Sequence, residues 1–575
     1  MNVHFANEKY TGRPVRLDTR WLDRHLHLAG FTGSGKTTAL LTLLFALFKL
    51  WQEPRCYVIV DRLGGFSQDL LRWFASPYCP PWVRRRLVYV EGANESVTLP
   101  MNPLLHRTPG EGYYRTARSA EIVLRAWTSQ DLSQMPRLMR WMFNSLYAVC
   151  QLGLTVVHAA HLLFPGSDMH RPLLGCLPEA LRAEWAGILR VGGAQAEQQL
   201  ESTRNRMKPF FESPVLRAMF ASPVNRFDVC GWMAGHRIVV VNLAPMGRLD
   251  VSSADTMGGL IVNEVLSVAR SLPPEERRET VLVLDEFQRF VQGSDLEFAL
   301  AESRQLRVPM VLSHQSFSQL KSDSVDLTSL IFQAQNRLIL RAAGPDALVL
   351  AEELAELTYD PYAVKDEIRH KTNRVTGHRV VELESRSRAE TFARNWSEDF
   401  GRRTVNGVWD GAVQRRRGEG ESRGGSATAG THQALLPVYE EVEQLASRTF
   451  WTFDEKRHEW GRKLRLLLPG EGVFQGYGEA VPLEVGVVRT APGHLARPWA
   501  EVLARLPGAA EAYFRLMEEN FAQDFFVAPA VAEAESRRRL AEVLGQPAVL
   551  TPGDAAAAEP VPPADAPAEG GEFGF

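Results

Sequence analysis

The chain lacks several features that would place it in a specialised class. Its N-terminus, Met-Asn-Val-His-Phe-Ala-Asn-Glu-Lys, has no basic-then-apolar layout, so no secretory leader is expected there. Long apolar runs are almost missing. Leu146–Phe164 is uncharged, but Gln151, Gly153, His158 and His161 interrupt it, and those polar groups are costly in lipid. It reads as buried helical core, and no integral membrane segment is expected. The five cysteines (Cys56, Cys79, Cys150, Cys176 and Cys230) show no Cys-x-x-Cys spacing and no accompanying histidine cluster. That excludes a disulfide framework and a zinc site, and a reducing cytoplasm is the expected home. Lysine is scarce at nine residues, with arginine carrying most of the positive charge. Net charge is −3, and residues 548–575 supply five acidic groups and no basic one, so the rest of the chain is close to neutral. Global charge therefore identifies no partner.

What the chain does have is a complete phosphate-binding loop, Gly30-Phe-Thr32-Gly33-Ser34-Gly35-Lys36-Thr37, followed by Thr38. His25–Ala29 before it alternates like a strand, and Thr38–Trp51 after it is apolar and free of helix breakers. That strand–loop–helix context is what the motif requires. Its glycines let successive N–H groups close around a polyphosphate, aided by the helix N-terminus. Lys36 is expected on the β/γ-phosphates and the Thr37 hydroxyl on Mg²⁺. A nucleoside triphosphate, taken as ATP, is the expected ligand.

At 575 residues the chain exceeds one ordinary core. Residues 1–105 read as the first segment of an α/β nucleotide domain, with strands at His25–Ala29, Cys56–Asp61 and Arg86–Glu91. Residues 106–230 lose strand signals and carry helical periodicity, as in Tyr113–Trp127 and Leu138–Leu152, which predicts an α-helical insertion. Residues 231–365 resume the α/β pattern, with strands at His236–Leu243, Val281–Leu284, Val308–Ser313 and Leu338–Arg341 and a helix over Ser253–Ala269. Short apolar runs of this kind suit parallel strands covered on both faces. Residues 366–433 are polar and rich in Arg, Glu, Ser and Gly, and read as a flexible linker. Residues 434–547 read as a small C-terminal α/β module with helices, and 548–575 as a disordered acidic tail.

Val281-Leu-Val-Leu-Asp285-Glu286 is an apolar strand ending in two carboxylates. Downstream of a phosphate-binding loop, Asp285 is placed to hold Mg²⁺ and Glu286 to polarise the water that attacks the γ-phosphate. Strand Val308–Ser313 ends at His314-Gln315. Gln315 can hydrogen-bond the attacking water or the γ-phosphate, or it can be a loop amide satisfied by backbone; His314 reads as structural.

These segments, together with Ala-Glu-Ser-Arg304-Gln-Leu-Arg-Val-Pro-Met-Val-Leu-Ser-His-Gln315 and Gln335-Asn-Arg-Leu-Ile-Leu-Arg341, resemble the FtsK/HerA clan of P-loop ATPases. Within it the chain is most similar to the TraG/TraD-like conjugative coupling ATPases of type IV secretion. Met101-Asn-Pro-Leu104 and Ser202-Thr-Arg-Asn-Arg-Met-Lys-Pro-Phe210 resemble elements that bracket that group's helical insertion, and the likeness extends more weakly over Leu435–Gly472. The resemblance implies a RecA-like fold of the ASCE type, a hexameric ring, DNA pumped through a central pore, and an arginine given to the neighbouring subunit's γ-phosphate. Arg304, eleven residues before Gln315, matches that arginine; a helix-surface ion pair with Glu302 is the alternative. Coupling proteins usually start with transmembrane helices, whereas 29 residues precede Gly30 here, and their Asp-Pro-Lys-Gly-Glu reads Asp61-Arg-Leu-Gly-Gly-Phe.

The expectation is an α/β RecA-like ATPase using ATP and Mg²⁺ that translocates DNA as a homo-oligomeric ring, free in the cytoplasm or held at a membrane through partners. Its partner would be a relaxase, nuclease or other effector. The alternatives are a HerA-like defence ATPase acting with an effector and an ATP-gated scaffold that does not translocate.

Overall fold

The computed structural model describes residues 1–127, 132–190, 193–290, 300, 302–321, 327–394, 397–405, 408–418, 421–479, 481–487 and 507–546. It divides into two compact units, one of Met1–Thr358 with the segment from Phe453 onward, the other Tyr359–Thr452. The acidic tail read at 548–575 lies outside the described residues.

The first unit is built on one eleven-stranded sheet. Its strands are β1 (Asn2–Glu8), β2 (Pro14–Asp18), β3 (Leu26–Ala29), β4 (Cys56–Asp61), β5 (Leu87–Glu91), β6 (Ile238–Asn242), β7 (Thr280–Asp285), β8 (Met310–His314) and β9 (Asn336–Leu340). The second unit contributes β10 (Val364–Arg394), β11 (Ser397–Val405), β12 (Val408–Gly418) and β13 (Glu421–Phe450), and the chain then returns to the sheet with β14 (Glu471–Gln475) and β15 (Leu483–Val487). Spatial order in the sheet is β2-β1-β15-β14-β9-β3-β8-β7-β4-β6-β5. From β9 to β5 every pairing is parallel, and β14, β15, β1 and β2 extend the sheet with antiparallel pairings. This is the mostly parallel α/β architecture expected from the sequence.

Successive strand residues face opposite sides, and each side has its own core. Cys56, Val58 and Val60 of β4, with Leu282 and Leu284 of β7, belong to one apolar cluster. Tyr57, Ile59, Val281 and Val283 belong to the other. Helices Lys36–Phe48 and Gly65–Ala75 cover the second face, whereas helix Val251–Ser271 packs on the first. Burial on both sides is why these strands read as unbroken apolar runs. Between β5 and β6 the described residues from Pro109 to Ala234 form helices and turns, with no strand.

The edge strand β5 is capped from far along the chain. Asn520, on helix Ala509–Phe521, accepts from the Tyr89 N–H at 2.7 Å and donates to the Tyr89 carbonyl at 2.8 Å. One amide side chain thus stands in for a neighbouring strand at a sheet edge that would otherwise be exposed.

The structure departs from the sequence reading at two places. The described residues of 366–433, a stretch read as a flexible linker, lie in strands, β10 pairing antiparallel with β13 and β11 with β12. Backbone pairing supplies the structure there, and it needs no apolar alternation to show in the sequence. The segment read as a C-terminal α/β module is continuous with the main sheet: helix Phe453–Leu466 packs on helix Asp346–Thr358, and β14 pairs with β9.

Candidate nucleotide-binding site

Strand order and register assemble the site. β3 and β7 flank β8, with Ala29 level with His314 and Asp285 level with Ser313. The residues that follow, Gly30, Gln315 and Glu286, therefore emerge at one edge of the sheet, where a doubly wound fold places its ligand. The cleft there has a volume of about 690 Å³ and is lined by Phe31–Gly33, Gly35–Thr38, Leu63, Asp285, Glu286, Gln315, Pro469–Glu471 and Gly486.

The loop has the backbone the motif needs. Gly33 (φ 78°) and Gly35 (φ 103°) adopt left-handed conformations, and Gly35 caps helix Lys36–Phe48 without a side-chain bond, leaving the helix N-terminus free for an anion. Lys36 is 8% exposed; its Nζ donates to the Gly30 carbonyl at 2.7 Å and lies 3.9 Å from Glu286 Oε1. Burial lowers its pKa, while the Glu286 and Asp285 carboxylates oppose that shift. An ammonium held this way is poised for a polyphosphate.

Glu286 is the most constrained residue of the site. It sits in the left-handed region (φ 56°, ψ 48°), a conformation that costs a non-glycine residue about 1–3 kcal/mol. Both carboxylate oxygens are held. Gln315 Nε2 donates to Oε1 at 2.7 Å and Gln288 Nε2 to Oε2 at 2.7 Å. Gln315 Oε1 in turn accepts from Thr32 Oγ1 at 2.8 Å, so an unbroken chain runs from the phosphate-binding loop to Glu286. The Gln315 amide is thus bonded to the side chains of Thr32 and Glu286.

Asp285 is 8% exposed, and its pKa is raised to about 6 by burial and then by the neighbouring Asp61 carboxylate. Asp61 itself builds the turn after β4. It accepts from the N–H groups of Leu63, Gly64 and Ser67 at 2.9, 3.0 and 2.7 Å and from the Ser67 hydroxyl at 2.9 Å. A buried carboxylate with a second carboxylate beside it is a donor set that a divalent cation relieves. Asp285 and Thr37 both line the cleft, and a carboxylate and a hydroxyl are oxygen donors of the type Mg²⁺ takes.

Three further observations bear on the expected residues. Thr37 and Thr38 follow Lys36 into the first turn of the helix and line the cleft. His314 is buried against His27, Nε2 to Nε2 at 2.8 Å, under Phe317 and Phe287, which is a packing role. Arg304 is not brought into the cleft. It is exposed on the short helix that leads into β8, whereas Gln315 follows the strand's other end. Glu302, considered as its ion-pair partner, lies instead 3.4 Å from Arg270.

Sequence reasoning missed Gln288 and the turn Pro469–Glu471. The Gly470 N–H donates to the Ser34 carbonyl at 2.9 Å, and a Cβ on Gly35 would sit 3.0 Å from Gly470 N. The positive φ of Gly470 (88°) suits a glycine at a tight turn, but nothing local ties residue 470 to the loop at 30–37. For Gln288 the only signal is its place two residues after Glu286.

Residues 194–357 match the family described as Type IV secretion-system coupling protein DNA-binding domain. No curated protein matches the chain in sequence. Among solved structures, the chain is similar to the bacterial conjugative coupling protein TrwBdeltaN70 in its unbound form, with 15% identity, 83% of this chain and 88% of that chain covered and a TM-score of 0.46. Plasmid coupling protein TrwB in complex with ADP and Mg²⁺ gives 16% identity, 84% and 89% coverage and a TM-score of 0.46. VirB4 of Thermoanaerobacter pseudethanolicus gives 14% identity, 61% and 86% coverage and a TM-score of 0.40. No helix among the described residues is long and apolar enough to cross a membrane. Over residues 194–357 the chain is thus similar to the type IV secretion-system coupling proteins.

Proposed function

We propose that the chain is an ATPase that moves DNA as a ring of six like subunits. The observation that carries the ATPase reading is the Thr32–Gln315–Glu286 chain of hydrogen bonds beside Lys36. It joins the loop that would hold the triphosphate to the carboxylate that would accept a proton. The DNA reading is supported by the family match over residues 194–357.

In this account Lys36 exchanges the Gly30 carbonyl for the β/γ-phosphates of ATP. Bound Mg²⁺, held by Thr37 and Asp285, would neutralise charge on the triphosphate. Glu286 takes the proton of the attacking water, and its left-handed backbone with the Gln288 hydrogen bond fixes the direction of the carboxylate. Gln315 reads the γ-phosphate: as its amide turns toward the phosphate or the water, it releases Thr32. Arg304, at the far end of β8 from its own cleft, would serve a neighbouring subunit, so hydrolysis would depend on assembly.

The test is the ATPase rate with and without DNA, on material of known oligomeric state, over a range of salt. Stimulation by DNA that fades steeply with salt is expected, because a protein tracking the backbone displaces counterions from phosphates. Turnover indifferent to DNA at low salt would favour an ATP-gated scaffold.

A further inference from the structure

The ribbon of residues 364–450 has properties that an isolated strand pair does not sustain. β10 has 31 residues and β13 has 30, and over the described residues they form a two-stranded sheet with both outer edges unpaired. A two-stranded ribbon alone in water is marginal, and bare edges invite another strand. Its side chains point the same way. Val375 is level with Tyr439 and Val380 with Leu435, on one face, and these four are 45%, 59%, 55% and 65% exposed. Leu436 and Val438, on the opposite face, are 49% and 45% exposed. Stacking onto one face would leave the other uncovered. Pairing along the edges brings neighbours alongside both faces at once.

Charge identifies the neighbour. From Arg369 to Arg379, β10 carries Arg369, Lys371, Arg374 and Arg379 and no acidic residue. The stretch of β13 level with it, Leu436 to Leu445, carries Glu440, Glu441 and Glu443 and no basic residue. Within the ribbon these charges meet only loosely, Lys371 to Glu441 at 3.2 Å and Arg369 to Glu443 at 3.8 Å, with all four side chains more than half exposed. Exposed pairs of this sort are weak and free to share a second partner. Over this stretch the ribbon thus offers a basic edge and an acidic edge, while Glu367 of β10 and Arg448 of β13 pair with each other just beyond it.

We propose that this ribbon is an interface between copies of the chain, with β10 of one copy pairing along its free edge with β13 of the next. Because β10 and β13 run in opposite directions, two ribbons pointing the same way meet as an antiparallel pair, so the sheet continues from copy to copy. A two-fold contact of β10 on β10, or β13 on β13, would set like charges opposite each other, which is unfavourable. The contact is therefore head-to-tail, and head-to-tail contacts close into rings or run on as filaments. This inference stands on the ribbon alone and is independent of the ATPase reading.

Disulfide trapping between separately prepared chains tests it. In a chain with the two cysteines that are not buried, Cys176 and Cys230, changed to serine, Lys371→Cys is mixed with Glu440→Cys, Glu441→Cys or Glu443→Cys in turn and mildly oxidised. A covalent pair is expected in at least one mixture and in none of the variants oxidised alone, because like strands of adjacent copies lie two strand spacings, or about 10 Å, apart, beyond the reach of a disulfide. Equal linkage in single variants would overturn the head-to-tail arrangement. No linkage in any mixture while the unaltered chain assembles, or an unaltered chain that stays monomeric at every concentration, would overturn the ribbon interface. In the unaltered chain, amide exchange over residues 369–379 and 436–445 should slow several-fold as concentration rises, and exchange independent of concentration would refute the proposal equally.

Discussion

Arg115, on helix Pro109–Arg125, makes a buried ion pair with helix Val251–Ser271, and the cost of removing it follows from the geometry. Its Nη1 lies 2.6 Å from Glu264 Oε2 on helix Val251–Ser271, and its Nε lies 2.9 Å from Glu111 Oε1 on its own helix. The Arg115 and Glu264 side chains are 5% and 3% exposed, while Glu111 is 22% exposed. Arg115→Ala leaves Glu264 buried without a counter-charge, and breaking a buried pair from one side costs about 3–5 kcal/mol. Glu264→Gln should cost less, because Arg115 keeps Glu111. The double replacement Arg115→Met with Glu264→Leu should recover most of the loss, since apolar side chains need no partner. Burial pushes the Glu264 carboxyl above its usual range, with Arg115 opposing. Without Arg115 the folded-state pKa rises further, so the penalty is full at high pH and shrinks as pH falls and the carboxyl takes a proton. Denaturant midpoints for the three variants at pH 8 and pH 5 read all of this. An Arg115→Ala midpoint equal to that of the double variant, or a penalty that does not shrink at pH 5, would show that Glu264 is not left as an unpaired buried charge.

Two further outcomes follow from the geometry. Burial depresses the imidazoles of His25, His158 and His314 from 6.5 to about 4. A histidine kept neutral in the fold contributes stability that is intact above pH 6.5 and is lost as pH falls toward 4. Acid destabilisation should therefore start near pH 6.5, at up to about 3 kcal/mol per histidine by pH 4, and a melting temperature flat from pH 7 to 5 would contradict it. Gly470→Ala meets no atom within 4 Å but forces a side chain into a left-handed backbone, at about 1–2 kcal/mol. It should weaken ATP binding severalfold through the Ser34 contact while leaving saturated turnover near normal; unchanged affinity would remove the turn at Pro469–Glu471 from the site.

The parts of the site legible in the sequence are those whose signal is local. The phosphate-binding loop is contiguous, and β7 and β8 are buried runs whose last residues are polar because they reach the sheet's edge. What could not be read depends on pairing across the chain. β1 and β2 join the sheet through β15, Gly470 reaches Ser34, and Asn520 reaches Tyr89, each by a contact that no neighbouring residue announces. The pairing within the ribbon is hidden for the same reason. Val364 is level with Phe450, and its polar, Arg- and Glu-rich strands have a coil's composition until their partners are known. Gln288 was hidden because its role lies in a 2.7 Å bond to a carboxylate whose backbone turns back on itself.

In the proposed function, Lys36 and Glu286 divide nucleotide binding from hydrolysis within one cleft. The measurement is ATP affinity and turnover, side by side, for Lys36→Ala and Glu286→Gln. Lys36→Ala should lose turnover together with affinity, because the β/γ-phosphates lose their fixed cation. Glu286→Gln should bind ATP as the unaltered chain does and fail to hydrolyse it, because the amide cannot take the proton from water. Turnover by Glu286→Gln at the unaltered rate would contradict the account.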